Sequence, residues 1–324
     1  MSFNPVNWVR LLSPTFDRSD FASEYYDKYV FEGGTFGDIA ARKGPMILIN
    51  ATDMISGFRV AFTQDVFDVI CSDVQSFPVA RATAASSAVP ILLTPVTLRN
   101  YAGRCGFETP AEFEGALKER DISKRQFHHA NKITPYLDAD KKPYIHLVDG
   151  GVADNLGIRA AIDRVLRFGD LWSTLDSAGL ENTHKVVFIV VNAEKEVSNR
   201  WSFFGKPPPF SAMLNSYSSI AITRYNFETV MLLRESFNRW TKEVQENRCG
   251  DMPVSTEPGA CGDIQFYIIE VKFDALKDEA ERTYFKQLPT SFKLASGEVD
   301  KIRKIAGRLL NESNEFQRLL KDLN

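Results

Sequence analysis

The sequence predicts an α/β fold with a largely parallel sheet. Short apolar segments, typical of buried strands, alternate with longer segments whose apolar residues recur at helical spacing. The composition is that of a globular protein, with 44% hydrophobic and 25% charged residues in a chain of 324. These observations predict one domain, residues 1–324, that buries a sizeable core.

The first predicted strands form a hairpin. Residues 46–50 are an apolar run, and residues 58–62 follow after a turn at Ser56 and Gly57. Thr63 is placed to cap a helix behind the second strand, and apolar residues recur at helical spacing after it. The small side chains of residues 79–90 predict a segment that packs closely against a neighbour.

The middle of the chain carries two further predicted strands. Residues 102–142 are polar and irregular, and they predict a surface excursion. Residues 144–148 form a predicted strand that ends at Asp149, and a helix follows as far as Gly169. Residues 185–191 are continuously apolar and β-branched, which predicts a central strand covered on both faces.

The last part of the chain is predicted to be mainly helical. Residues 211–246 predict a long helix, and residues 264–273 predict one more strand. Residues 297–324 predict a terminal helix, because their apolar side chains fall near one stripe.

Composition and spacing argue against several kinds of partner and ligand. The net charge of -3 without a basic stripe argues against nucleic acid, and no apolar run is long enough for a transmembrane segment. No cysteine or histidine group has zinc spacing, so we expect neither a metal nor a cofactor. Cys249 and Cys261 bracket a Pro/Gly loop and have two interpretations. They form a disulfide bond, typical of a secreted or cell-envelope protein, or they are free thiols of a cytoplasmic one.

Asp149, followed by Gly150 and Gly151, is the candidate catalytic residue. It lies at the carboxyl end of a predicted strand, where open α/β sheets place their sites. The two glycines permit unusual backbone angles and leave room beside the carboxylate. Such a carboxylate could take a proton from a serine hydroxyl within hydrogen-bond reach. The alternative is a plain Asp-Gly turn, and residue types alone favour that alternative.

Other polar residues have structural interpretations. Three of them follow predicted strands and either face the same cleft or cap turns, the caps being favoured: Asn50, Asp53 and Asn192. Ser86 and Ser87 are flanked by alanines instead of the glycines that a nucleophile turn needs, which indicates packing. His146 lies inside a strand, and we interpret it as a paired structural histidine.

Two ordered blocks of the sequence resemble the patatin-like phospholipases. Residues 79–90, Val-Ala-Arg-Ala-Thr-Ala-Ala-Ser-Ser-Ala-Val-Pro, are similar to that family's Ala-Ser-Ser-Ala-x-Pro segment. Residues 147–155, Leu-Val-Asp-Gly-Gly-Val-Ala-Asp-Asn, are similar to its Asp-Gly-Gly/Ala motif. The spacing of the two blocks fits the family, and residues 50–53 and 288–292 also resemble it. The resemblance covers most of the chain.

The resemblance implies a three-layer α/β/α fold and hydrolysis of lipid acyl esters by a Ser-Asp dyad. In that family the serine lies on a Gly-x-Ser-x-Gly turn, and a Gly-rich loop supplies the N–H groups of an oxyanion hole. Asp149 matches the dyad aspartate and would act as general base, with Gly150 and Gly151 completing the motif. The implied partner is a lipid or membrane-surface substrate.

The sequence departs from that family at the nucleophile. None of the 19 glycines brackets a serine in the Gly-x-Ser-x-Gly spacing. The serine turn and the oxyanion loop precede both blocks in the family, so we expect a fold that is incomplete at its amino-terminal side, with an exposed sheet edge. One hypothesis is the downstream part of an enzyme, inactive alone, whose serine an upstream polypeptide supplies. The other is a degenerate homologue that binds lipid or protein without turnover.

Overall fold

The computed structural model describes residues 10–13, 16–42, 44–89, 92–195, 199–289 and 294–323. Pro90 and residues 290–292 of the blocks discussed above lie outside these ranges. The structure is mixed α/β, with a small antiparallel sheet and a small parallel one, so the predicted α/β class is confirmed. Internal contacts divide the chain into two compact units, residues 1–157 and 158–324, and each is described separately.

The elements are numbered in chain order. The strands are β1 Asn50–Asp53, β2 Arg59–Ala61, β3 Val96–Arg99, β4 Tyr144–Val148, β5 Lys185–Asn192 and β6 Gln265–Lys272. The α-helices are α1 Arg18–Tyr26, α2 Phe36–Ala40, α3 Gln64–Val69, α4 Val79–Ser86, α5 Ala111–Glu119, α6 Arg125–Ile133, α7 Gly151–Asp154, α8 Ile158–Phe168, α9 Leu171–Ser177, α10 Phe210–Cys249, α11 Glu279–Lys286, α12 Ser296–Glu312 and α13 Asn314–Leu323. Shorter helical turns are Asp27–Phe31, Thr134–Leu137, Asn199–Phe203 and Phe273–Ala275.

The sheet of the first unit is antiparallel throughout, with strand order β2-β1-β4-β3. The predicted hairpin is present as β1 and β2, but the prediction of a largely parallel sheet is wrong for this unit. β1 also starts later than its apolar run predicts. The buried Thr52 pairs with both neighbouring strands and the buried Ala51 pairs with β2, whereas Met46 is 76% exposed.

Helix α4 packs against α1, β1 and β4, as its small residues predict. Four of its alanines are almost completely buried: Ala80, Ala82, Ala84 and Ala85. Because these side chains are short, the helix backbone approaches the sheet closely and ends beside the Asp-Gly-Gly motif.

Residues 102–142 contribute to the core of the first unit, although their polar sequence predicts only a surface excursion. They contain α5 and α6, and they bury Phe113, Ile133 and Tyr136 in the core that includes β1 and β2. A disulfide bond between Cys71 and Cys105 ties the start of this segment to the residues just after α3.

The parallel sheet of the second unit consists of β5 and β6. One of its faces packs on α10, where Phe237 stacks on both Phe188 and Phe266. On the other face, α12 and α13 cover β6. The residues of β5 on that same face are exposed, up to 67% at Val191. The prediction that this strand is covered on both faces is therefore wrong for the described residues.

Helix α10 is the predicted long helix, and it extends to Cys249. Cys249 is disulfide-bonded to Cys261. Of the two interpretations of this pair, a disulfide bond or two free thiols, the structure has the disulfide bond. The predicted terminal helix is two helices, α12 and α13, because Ser313 has extended backbone angles of φ -69° and ψ 121°.

Candidate functional site

The backbone of Asp149 is fixed by contacts on both sides. Its N–H donates to the carbonyl of Ala88 at 3.1 Å, and its carbonyl accepts from the Thr52 hydroxyl at 2.8 Å. The same hydroxyl oxygen of Thr52 accepts the N–H of Ala153 at 3.1 Å, and Thr52 is only 1% exposed. The end of β4 is therefore held between α4, β1 and α7.

Residues 150 and 151 are glycines because neighbouring atoms approach their backbone too closely to leave room for a Cβ. Gly150 has ordinary right-handed helical angles, φ -64° and ψ -26°, so unusual backbone angles do not explain it. A Cβ at residue 150 would lie 2.3 Å from the carbonyl oxygen of Asn50. A Cβ at residue 151 would lie 2.9 Å from Oδ1 of Asp149 and 2.8 Å from Oδ1 of Asn155. The sequence predicts that the two glycines leave room beside the carboxylate, and these distances show which atoms a larger residue would meet.

The Asp149 carboxylate is half-buried and keeps a free oxygen. Oδ1 accepts the N–H of Gly151 at 2.7 Å, whereas Oδ2 accepts no hydrogen bond from any residue that the structure describes. Burial raises the pKa of Asp149 above its usual value, and the hydrogen bond from Gly151 opposes that effect only in part. A carboxylate with these properties is a suitable proton acceptor for an approaching hydroxyl.

Neither serine of the α4 segment is paired with Asp149. The Ser87 hydroxyl donates to the Thr83 carbonyl at 2.8 Å and lies 3.1 Å from the hydroxyl of Tyr26. Ser86 accepts the N–H of Gly150 at its own carbonyl, 3.0 Å away. Its hydroxyl lies beside Gly150, 3.3 Å from the place of a Cβ there. These contacts agree with the packing interpretation of the two serines.

Asp53 belongs to a buried ion-pair network that the sequence does not predict. Its Oδ1 accepts the N–H of Ile55 at 3.0 Å, and this hydrogen bond is the turn cap that the sequence predicts for Asp53. Its Oδ2 accepts from Ser56 at 2.7 Å, from Lys142 Nζ at 2.6 Å and from the Tyr136 hydroxyl. Asp53 is completely buried, and Lys142 Nζ also lies 4.4 Å from the centre of the Tyr136 ring.

The network shifts the pKa values of Asp53 and Tyr136 in opposite directions. Burial raises the pKa of Asp53, but the hydrogen bonds from Lys142, Tyr136 and Ser56 outweigh it, so the pKa lies below its usual value. Burial, together with the neighbouring Asp53 carboxylate, raises the pKa of Tyr136. Asp53 is therefore a saturated structural carboxylate that anchors residues 102–142 to the sheet.

The other polar candidates also have structural partners. Asn50 accepts from Arg59 at 3.0 Å, and His146 is hydrogen-bonded through Nδ1 to the Thr97 hydroxyl at 3.0 Å. In the second unit, Asn192 caps a turn by accepting the N–H of Glu194 at 3.1 Å. β1 and β4 are antiparallel and pair through their last residues, Thr52 with Val148 and Asp53 with Leu147, so Asp53 and Asp149 lie on adjacent strands. Among the described residues the two carboxylates nevertheless share no hydrogen-bond donor.

A mainly apolar cleft of about 480 Å³ lies next to the Asp-Gly-Gly motif. Val148 and Val152, which flank Asp149 in sequence, form part of its wall, although the Asp149 side chain does not. The remaining wall is formed by Arg18, Thr52, Asp53, Met54, Gly57, Leu93, Thr94 and Pro95. The cleft therefore adjoins the candidate base without enclosing it.

The residues that the structure describes hold no group of three or more His, Cys, Asp or Glu placed to bind a metal ion. In the same part of the chain, no helix combines the length and apolarity needed to cross a bilayer. Comparison with protein-family models, curated proteins and solved structures finds no match to this chain. The geometry around Asp149 and the resemblance of the two motif blocks therefore remain the indications of function.

Proposed function

We propose that this chain carries the base of a lipid acyl ester hydrolase of the Ser-Asp dyad type, as its resemblance to patatin-like phospholipases implies. The observation that carries the proposal is the half-buried Asp149 carboxylate, which has a raised pKa and a free Oδ2. The nucleophilic serine would come from an upstream polypeptide, so the 324-residue chain alone would be inactive.

In the proposed reaction, Asp149 Oδ2 accepts the proton of the serine hydroxyl as the serine oxygen attacks the ester carbonyl. The tetrahedral intermediate collapses to an acyl-serine, and the alcohol leaves with the proton from Asp149. Asp149 then takes a proton from water as the water oxygen attacks the acyl-serine, and it returns that proton to the serine oxygen as the fatty acid is released. No histidine is needed, because the raised pKa of Asp149 makes it a stronger base than an exposed carboxylate.

The cleft beside the motif supports an apolar substrate. Leu93, Pro95, Val148 and Val152 provide apolar walls, and burial of an acyl chain against them is favourable at roughly 0.8 kcal/mol per methylene. The one carboxylate in the wall, Asp53, is neutralised by its contact with Lys142. An uncharged chain therefore meets no unpaired carboxylate in this cleft.

The second unit supports a three-layer α/β/α fold that is incomplete. β6 lies between α10 on one face and α12 with α13 on the other, whereas β5 is covered only on the α10 face. The free edge of β6 is blocked, because Arg318 donates to the Phe266 carbonyl at 2.8 Å and lies over the Tyr267 ring. Among the described residues, β5 pairs only with β6, and Ile189 is 53% exposed. A further strand from an upstream polypeptide would fit this edge, in keeping with the prediction of a fold that is incomplete at its amino-terminal side.

The test is hydrolysis of p-nitrophenyl butyrate by two proteins. The 324-residue chain alone should give no turnover above background. An extended protein that includes any in-frame upstream Gly-x-Ser-x-Gly segment should turn over, and Asp149→Asn should abolish most of its activity while keeping the fold. Ser86→Ala is the matched control and should retain activity, since Ser86 is assigned to packing.

Two results would decide against this proposal. Turnover by the chain alone that survives Asp149→Asn would refute the dyad assignment. The second result has two parts: the DNA before Met1 encodes no Gly-x-Ser-x-Gly segment, and a translation start is mapped to Met1. The better hypothesis is then that the chain is a degenerate homologue without catalytic activity. That alternative is favoured by one observation, the lack of any serine hydrogen-bonded to Asp149 among the described residues.

A further inference from the structure

The side chain of Asn155 lies beside the Asp149 carboxylate. Oδ1 of Asn155 is 2.8 Å from the place of a Cβ at residue 151, and Oδ1 of Asp149 is 2.9 Å from the same place. Two oxygens that are this close to one point are separated by less than two hydrogen-bond lengths, each of about 3 Å. The space that Gly151 leaves open is therefore shared by two polar side chains, one of which is the candidate base.

The Asn155 amide takes no part in the hydrogen bonds that hold the described fold. Asn155 is exposed, and its side chain forms no hydrogen bond with any residue that the structure describes. The neighbouring Asp154, by contrast, is 5% exposed and forms an ion pair with Arg59. An unpaired surface amide is ordinary by itself. What distinguishes this one is its position next to a half-buried carboxylate, where a polar group of a ligand can meet both.

The same amide adjoins the apolar cleft. Gly150 and Asn155 flank the short helix α7, and both have right-handed helical backbone angles. Residues three apart on a helix are neighbours on its surface, so Asn155 lies next to Val152, which forms part of the cleft wall. A molecule whose apolar part occupies the cleft beside Val152 would thus place an attached polar group near Asn155 and Asp149.

The charge of these surroundings selects the kind of polar group. An amide both donates and accepts hydrogen bonds, and a hydroxyl is an uncharged group that does the same. A phosphate or carboxylate at this place would lie close to the Asp149 carboxylate, which repels a second negative charge. An ammonium group could not accept the N–H of the amide. A hydroxyl is therefore the group that fits Asn155.

We propose that Asn155 binds a hydroxyl on the alcohol part of an ester whose single acyl chain occupies the cleft, so that the preferred substrate is a monoacyl ester of an uncharged polyol such as glycerol. The cleft volume of about 480 Å³ is within the range of small-molecule sites. The inference rests on the proposed function, whose substrate class it narrows. In that reaction the alcohol leaves with a proton from Asp149, so the alcohol part must lie within reach of that carboxylate, as Asn155 does.

The test is ligand binding, which needs no nucleophile. The 324-residue chain is titrated calorimetrically with monooctanoylglycerol, methyl octanoate and octanoate, which share one acyl chain. We expect monooctanoylglycerol to bind most tightly, because it alone carries uncharged hydroxyl groups. Asn155→Ala should weaken its binding about fivefold, the effect of losing one hydrogen bond between uncharged groups. The same variant should bind methyl octanoate like the parent chain.

Asn131→Ala is the matched control, since Asn131 is exposed in α6 and lies outside the cleft wall, and it should bind all three ligands like the parent chain. Gly151→Ala is a second variant. Its Cβ would displace the Asn155 amide, so binding of monooctanoylglycerol should weaken there as well. Because Asn155 and Asn131 are exposed, thermal unfolding of these two alanine variants should be unchanged.

Failure of the chain to bind monooctanoylglycerol, or binding that Asn155→Ala leaves unchanged, would overturn the inference. Tighter binding of octanoate would also overturn it, because the site would then prefer an anion, for which Arg18 in the cleft wall is the better partner. The proposed function is tested separately. Binding that depends on Asn155 without esterase activity in the extended protein would refute the hydrolase proposal alone, whereas esterase activity without such binding would refute only the role of Asn155.

Discussion

Replacing Gly150 by alanine is the most direct test of why the Asp-Gly-Gly motif has its sequence. The added Cβ would lie 2.3 Å from the carbonyl oxygen of Asn50, a backbone atom of β1. An ordinary contact is about 3.5 Å, so β1 or the end of β4 must move by roughly 1 Å. Neither moves without disturbing the pairing of Thr52 with Val148. Overpacking of this kind costs about 3 kcal/mol, the upper end of the usual range.

The measurement is amide hydrogen exchange of the peptide that contains β4. A loss of about 3 kcal/mol should speed exchange there roughly a hundredfold, since about 1.4 kcal/mol corresponds to a factor of ten. Gly115→Ala is the matched control, because Gly115 lies in α5 with open space at its Cβ, and it should stabilise the chain by up to about 1 kcal/mol. Gly151→Ala should have a smaller effect than Gly150→Ala, since one clashing atom belongs to the movable Asn155 side chain. Equal stability of the Gly150 and Gly115 variants would refute the argument.

Three further predictions concern the charges and the disulfide bonds. Lys142→Met should destabilise the first unit by about 3–5 kcal/mol in urea titrations, because it leaves a buried Asp53 carboxylate without its cation, and adding Asp53→Asn should recover most of the loss. Asp149→Asn should raise the stability of the chain at neutral pH, since the pKa of Asp149 is raised by burial and ionisation therefore favours the unfolded state. That gain should disappear as the pH falls below the usual pKa of an aspartate, and a gain that persists in thermal unfolding at low pH would contradict it. The four cysteines should give no thiol reaction in denaturant without reductant, and reduction should destabilise the chain by roughly 3 kcal/mol per bond.

Local patterns in the sequence predict the local elements well. β4, the β1–β2 hairpin and α10 follow from apolar spacing and turn residues, and each is found within a few residues of its predicted position. Gly169 ends α8 as predicted, with a positive φ of 93°. These features depend on residues that are close in the chain, so a single sequence contains the information.

Contacts between distant residues were not predictable in the same way. The antiparallel pairing of β1 with β4 joins residues nearly a hundred positions apart, and nothing in either strand specifies its direction. Lys142 pairs with Asp53 across 89 positions, in a segment whose polarity predicts exposure. The bond between Cys71 and Cys105 depends on where residues 102–142 fold back. Each of these contacts becomes visible only when the three-dimensional arrangement is known.

Comparing Asp53 with Asp149 shows why only one of them fits the role of a base. Both lie at the carboxyl ends of strands of the same sheet, yet Asp53 accepts hydrogen bonds from Ile55, Ser56, Lys142 and Tyr136, and its pKa is lowered. A carboxylate so fully paired has no oxygen left to accept a proton from substrate or serine. Asp149 accepts one hydrogen bond from Gly151, and its pKa is raised. Holding a carboxylate in that state costs stability, and perturbed carboxylates of this kind are typical of functional sites. The hydrogen-bond donor that Oδ2 lacks among the described residues is the one that the proposed serine would provide.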